Sequence, residues 1–179
     1  GLQLIKNNED FKENKLTEWI LNKMNQKFEF LFINDALAQA IGGIYQLGIN
    51  EFLNKRVLYI GPGTGLGGAL IDVGESINDL IVLSDGHIYD VMIKGDDGAE
   101  KMAEDMISGR ALYEKSGVYP KEIAESDELW LKHEPCIQKM GDDLIQLLSV
   151  LTSGDFSKKN PSNNWKKEDQ LLLKNIDII

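Results

Sequence analysis

Apolar positions along this chain change period several times, and each change predicts an element. Leu16, Trp19, Ile20, Met24 and Phe28 recur at helical spacing, with Glu18, Asn22 and Lys23 between them, which predicts an amphipathic helix. Residues 28–33 (FEFLFI) then predict a buried strand. After Asn34-Asp35, residues 36–47 predict a helix of small and apolar residues stopped by Gly48. Residues 56–60 predict a second buried strand, and residues 69–73 and 80–83 two more on either side of a break at Gly74-Glu-Ser. Asp85-Gly86 is a turn signal, and residues 87–93 predict a further strand.

The second half reads as helical: residues 99–107, then 111–115 beyond a break at Ser108-Gly109, then 121–132. Residues 137–151 carry Met140, Leu144, Leu147, Leu148 and Leu151 on one side. Residues 152–170 are polar and rich in Ser, Lys and Asn and predict a loop or linker; residues 171–179 turn apolar again and predict a terminal strand or helix of the same lobe. No internal repeat is visible. The expected class is α/β with a mixed sheet and flanking helices, residues 1–151 forming the main lobe.

The chain has 179 residues, 42% hydrophobic and 27% charged, with a net charge of −10. The profile is that of a folded domain, and its acidity speaks against a nucleic-acid surface, which needs clustered Lys and Arg. A single cysteine, Cys136, excludes an intrachain disulfide and a Cys-based zinc cage, and reads as a small buried hydrophobe. No apolar run reaches transmembrane length and no signal-peptide pattern opens the chain, so the expectation is a cytoplasmic protein without a membrane partner.

The chemistry concentrates in Val57-Leu-Tyr-Ile-Gly-Pro-Gly-Thr-Gly-Leu-Gly-Gly68, a strand running into five glycines and a threonine. Gly63, Gly65 and Gly68 satisfy the dinucleotide-binding spacing, with Asp85 about 20 residues on as a ribose acid. The same residues suit the first motif of S-adenosylmethionine-dependent methyltransferases. Both of those readings require a helix directly after the glycines. Ala69-Leu-Ile-Asp-Val73 has the bias of a strand instead, which favours a phosphate-cradling hairpin. Upstream, Asp35 stands at a helix start, where it reads either as an N-terminal acid or as a general base. Downstream, Glu104 precedes Ser108-Gly109 and reads by itself as a solvated helix acid followed by a break.

Taken together, Asn34-Asp35-Ala36, then Gly-Pro-Gly-Thr-Gly-Leu-Gly-Gly, then Glu104-x-x-x-Ser-Gly-Arg-Ala-Leu112 resemble, in that order, the bacterial glucokinase and ROK families of sugar kinases. These belong to the actin/hexokinase superfamily, and the resemblance implies a ribonuclease-H-like (actin-like ATPase) lobe over roughly residues 33–112. It implies that Asn34 and Asp35 bind sugar hydroxyls, with Asp35 the general base, and that Glu104 contacts the sugar. It implies that Gly63, Thr64, Gly65 and Gly67 contact the phosphates of ATP, with Mg²⁺ as cofactor, and that a homodimer is possible. The family's opening Asp-x-Gly-Gly-Thr, its Glu-x-Gly-His, the cysteine-rich zinc motif of many ROK members and the late Gly-Gly are missing. The expectation is therefore an incomplete chain lacking its N-terminal lobe, of reduced activity alone, or a non-catalytic sugar-sensing relative. The remaining features have plain expectations. His87 reads as surface or half-buried, and Trp130 as core or interface. Lys158-Lys159 and Lys166-Lys167 read as solvated loop charges, and Asp96-Asp97 and Asp142-Asp143 as helix N-terminal acids.

Overall fold

The computed structural model describes residues 34–76, 79–84, 87–160 and 167–179. The helix expected over 16–28, the strand over 28–33 and Asp85 lie outside them. Helix α1 (Asp35–Leu47) starts where a cap is available: Asn34 is extended (φ −60°, ψ 141°) and its Oδ1 accepts from the Ala36 N–H at 2.9 Å. It stops at Gly48, whose φ of +97° disfavours any residue with a Cβ. Leu37, Ala40 and Ile44 form its buried stripe.

Strands β1 (Lys55–Pro62) and β2 (Leu66–Val73) pair antiparallel along their whole length, from Lys55 opposite Val73 to Pro62 opposite Leu66. Gly63, Thr64 and Gly65 close the hairpin. No helix follows the glycines, so the dinucleotide and methyltransferase readings lack the strand–turn–helix they require. Strand β3 (Leu80–Ser84) adds antiparallel to β2, giving the order β1-β2-β3. A single parallel bridge between Val57 and Ile178 lies on the other side of β1. Among the described residues the named strands pair antiparallel, and the parallel component of the mixed sheet expected from sequence is that one bridge.

The central strand β2 explains its own composition. Ala69, Ile71 and Val73 face α1 and pack with Leu37, Ile44 and Val57. Leu66 and Leu70 face the other way, with Leu58, onto Ile88, Val91, Ile93, Ile107 and Leu147. A strand covered on both faces reads as a continuous apolar run, and each Leu or Ile buried this way stabilises the fold by about 1.5–3 kcal/mol.

Four elements differ from expectation. Of residues 87–93, only the end enters a strand, β4 (Met92–Lys94), while Tyr89 and Asp90 turn the chain inward with Asp90 fully buried. Residues 99–107 are not a helix. The turn at Gly95-Asp-Asp-Gly98 reverses the chain, β5 (Glu100–Met102) pairs with β4, and a 3₁₀ turn (Ala103–Asp105) follows. Ala103, Met106 and Ile107 supply the apolar spacing that mimicked a helix. Helix α2 (Gly109–Ser116) and the short α3 (Pro120–Ala124) lead to α4 (Asp127–Ser153); the helix predicted over 121–132 is thus split between α3 and α4, and α4 runs through Pro135 to take in all of 137–151. Ser126 sets its start, its Oγ accepting from the Leu129 N–H at 3.3 Å. The tail forms α5 (Lys167–Leu172), which starts inside the stretch expected to be a loop, and a 3₁₀ turn (Leu173–Asn175), so of the two expectations for 171–179 the helical one describes its start.

Several plain expectations also change. His87 is buried, Asp143 is buried mid-helix on Lys139, and Asp96 and Asp97 sit in the β4–β5 turn. Lys158 is buried in an ion pair with Asp90, Trp130 is exposed, which sets aside the core half of the core-or-interface expectation, and Cys136 is half-buried. No helix among the described residues is long and apolar enough to cross a membrane.

Candidate functional site

The first turn of α1, the glycine hairpin and the 3₁₀ turn surround a cavity of about 360 Å³. Asn34, Asp35, Gly63, Thr64, Gly65, Gly67 and Glu104 all line it. The seven residues that the resemblance singled out are therefore brought to one place, although they come from three separate stretches. His87, Tyr89 and Gln39 line it as well.

The glycines explain how the pieces fit. A Cβ on Gly67 would stand 2.8 Å from the Ala36 Cβ, so its absence lets the first turn of α1 sit directly on the hairpin. This puts Asn34 and Asp35 beside the loop. Asn34 spends its Oδ1 on capping, and Asp35 Oδ1 lies 3.0 Å from the same Ala36 N–H. Asp35 is exposed, and among the described residues it has no ion-pair partner.

The loop is anchored from behind. The Gly109 N–H donates to Gly63 O at 2.7 Å and the Arg110 N–H to Thr64 O at 3.3 Å, so the first turn of α2 answers two loop carbonyls. A Cβ on Gly109 would lie 2.9 Å from Gly63 O, which accounts for glycine after Ser108. Ser108 is fully buried and caps α2, its Oγ accepting from the Ala111 N–H at 3.1 Å. Within the loop, the Gly63 N–H donates to Gly65 O at 2.9 Å. Among the described residues the amides of Thr64 and Gly65 have no partner, and Thr64 is exposed.

Glu104 is not a solvated helix acid. Its N–H donates to Tyr89 O at 3.0 Å, its Oε2 accepts from the Leu66 N–H at 3.0 Å, and Arg110 Nη2 reaches its Oε1 at 3.1 Å. His87 packs edge-on to Tyr89 with ring centroids 5.7 Å apart. Its place at the cavity differs from the surface or half-buried position read from the sequence, where nothing in the local pattern of residues 87–93 marks it out.

Two amides and a hydroxyl without other partners suit phosphate oxygens. Mg²⁺ bound with a nucleotide takes phosphates, waters and one or two carboxylates; Glu104 already faces a guanidinium, and among the described residues no group of three or more His, Cys, Asp or Glu side chains could hold the ion. Comparison of the chain with protein-family models, with curated proteins and with solved structures returns no match.

Proposed function

We infer that the protein is an ATP-dependent sugar-kinase-like phosphotransferase built on a ribonuclease-H-like lobe. The observation that carries the reading is the convergence of seven sequence-chosen residues on one cavity.

On this reading a hexose lies against the first turn of α1, where Asn34 and Asp35 meet its hydroxyls. Asp35 takes the proton of the attacking hydroxyl as the new sugar O–P bond forms and the bond to the ADP oxygen breaks. The Thr64 and Gly65 amides and the Thr64 hydroxyl hold the phosphate oxygens. Mg²⁺, when bound with the nucleotide, supplies neutralising charge. The three-stranded antiparallel sheet packed on both faces agrees with an α/β lobe; the ribonuclease-H-like form of that lobe comes from the motif resemblance alone.

The test is calorimetric titration with ADP and a panel of hexoses, with coupled ADP release measured under Mg–ATP. Asp35→Ala is expected to lower turnover about 10²–10⁴-fold while nucleotide affinity holds. Absence of binding by both ligand classes, or unchanged turnover in Asp35→Ala, sinks the reading.

A further inference from the structure

Glu104 holds contacts that a sugar ligand would not need. One carboxylate oxygen is bonded to the Leu66 N–H, the first residue of β2 after the loop, and the other faces Arg110. Gly65 lies so close that a Cβ there would come 2.5 Å from Oε2. Arg110 in turn reaches Asp105 at 3.2 Å through its side chain and Thr64 O at 3.3 Å through its backbone. Loop, acid and arginine therefore form a closed circuit: Thr64 to Arg110 to Glu104 to Leu66.

We propose that Glu104 is a positioning residue that clamps the Gly63-Thr64-Gly65 loop at the cavity wall, with Arg110 neutralising it so that the loop can receive an anion. The physical need is clear. A corner with two glycines in three residues has large backbone freedom, and a loop that binds phosphate oxygens must hold its amides in place before the ligand arrives. A carboxylate is the strongest available acceptor for a backbone N–H, but its charge opposes a phosphate nearby. The guanidinium against Oε1 removes that opposition. Glycine at 65 then leaves room for the acid at its observed position. This rests on the proposed function only for the identity of the ligand; the clamp itself is a property of the free chain.

The test is a cycle of Glu104→Ala, Glu104→Gln, Gly65→Ala and the double variant Gly65→Ala/Glu104→Ala in the full chain. It is read by hydrogen exchange of the Leu66 amide and by ADP titration. Glu104→Ala is expected to speed Leu66 exchange about 10–100-fold, the loss of a hydrogen bond to a charged group, and to weaken ADP at least about tenfold. Glu104→Gln, whose amide oxygen still accepts, recovers most of the protection. Gly65→Ala reproduces the Glu104→Ala effect by displacing the acid, and in the double variant it adds little further. The proposal is overturned if Leu66 exchange is unchanged in Glu104→Ala, or if the Gly65 and Glu104 effects add. It is overturned equally if Glu104→Ala loses hexose binding alone. If the unaltered chain binds no ADP, the kinase reading suffers while the exchange data still decide the clamp.

Discussion

Two joins in this molecule use the same chemistry in different surroundings. In the interior, Asp90 Oδ1 lies 3.1 Å from Lys158 Nζ, and its Oδ2 accepts from the Asn160 N–H at 3.2 Å. At the cavity, Glu104 Oε1 lies 3.1 Å from Arg110 Nη2, and its Oε2 accepts from the Leu66 N–H at 3.0 Å. Each acid thus ties one cation and one remote backbone amide. The difference is water. The Asp90 and Lys158 side chains are 0% and 4% exposed, those of Glu104 and Arg110 23% and 49%. A buried pair is costly to make and more costly to halve, because the survivor is left charged in a low-dielectric interior. A rim pair keeps solvent as an alternative partner and contributes little to stability. The first arrangement therefore locks residues 158–160 onto the fold, while the second adjusts a ligand-facing loop at small stake.

The sharpest way to break this contrast is to remove each acid and measure urea unfolding. Asp90→Ala is expected to cost about 3–5 kcal/mol, and Asp90→Asn less, because an amide oxygen still serves the Asn160 N–H. Glu104→Ala is expected to cost about 1–2 kcal/mol, with its main effect on the loop. Equal losses from the two alanine variants would erase the distinction.

A third acid extends the series to the surface and should give the smallest effect. Asp97, with its side chain 58% exposed, meets Lys101 Nζ and the Ala99 N–H, both at 3.1 Å. Lys101 first, and the Ala99 amide second, hold its carboxyl below the usual aspartate value. A pKa lowered by folding contributes stability above the unfolded-state pKa and loses it as pH falls through the folded one. The melting-temperature advantage over Asp97→Asn should accordingly be small at neutral pH and vanish in acid. An advantage that persists in acid would mean that charge plays no part.

How far the chain's residues foretold this arrangement depends on how local each feature is. Helix α1 was legible because its cap, its apolar stripe and its stop at Gly48 all lie within or beside it. The hairpin was legible because strand-like residues flank the glycines on both sides. The β4–β5 hairpin was missed, although Asp97-Gly98 is a turn signal. Its strands have three residues each, too few for a period-2 pattern, and the spacing of Ala103, Met106 and Ile107 favoured a helix. Lys158 and Asp143 were misread for a related reason: a charged residue in a polar stretch or at a helix start reads as solvated until its partner is known. Lys139, which meets Asp143 at 2.6 Å and Asp96 at 2.7 Å, shows this from the other side; both acids, Asp143 foremost, raise its pKa.

The sequence by itself determined the local pieces: a capped helix carrying Asn34 and Asp35, a glycine-closed hairpin carrying Thr64, and a Ser-Gly break after Glu104. Those depend on backbone preferences and on contacts a few residues apart. Only the tertiary structure decided that the three enclose one cavity and that Glu104 bonds the amide of Leu66, 38 residues away. Apolar periodicity records that a face will be buried but not which face it will meet. The meeting is set by packing on both sides of β2, and by glycines at 65, 67 and 109 that leave room for a neighbour no local pattern announces.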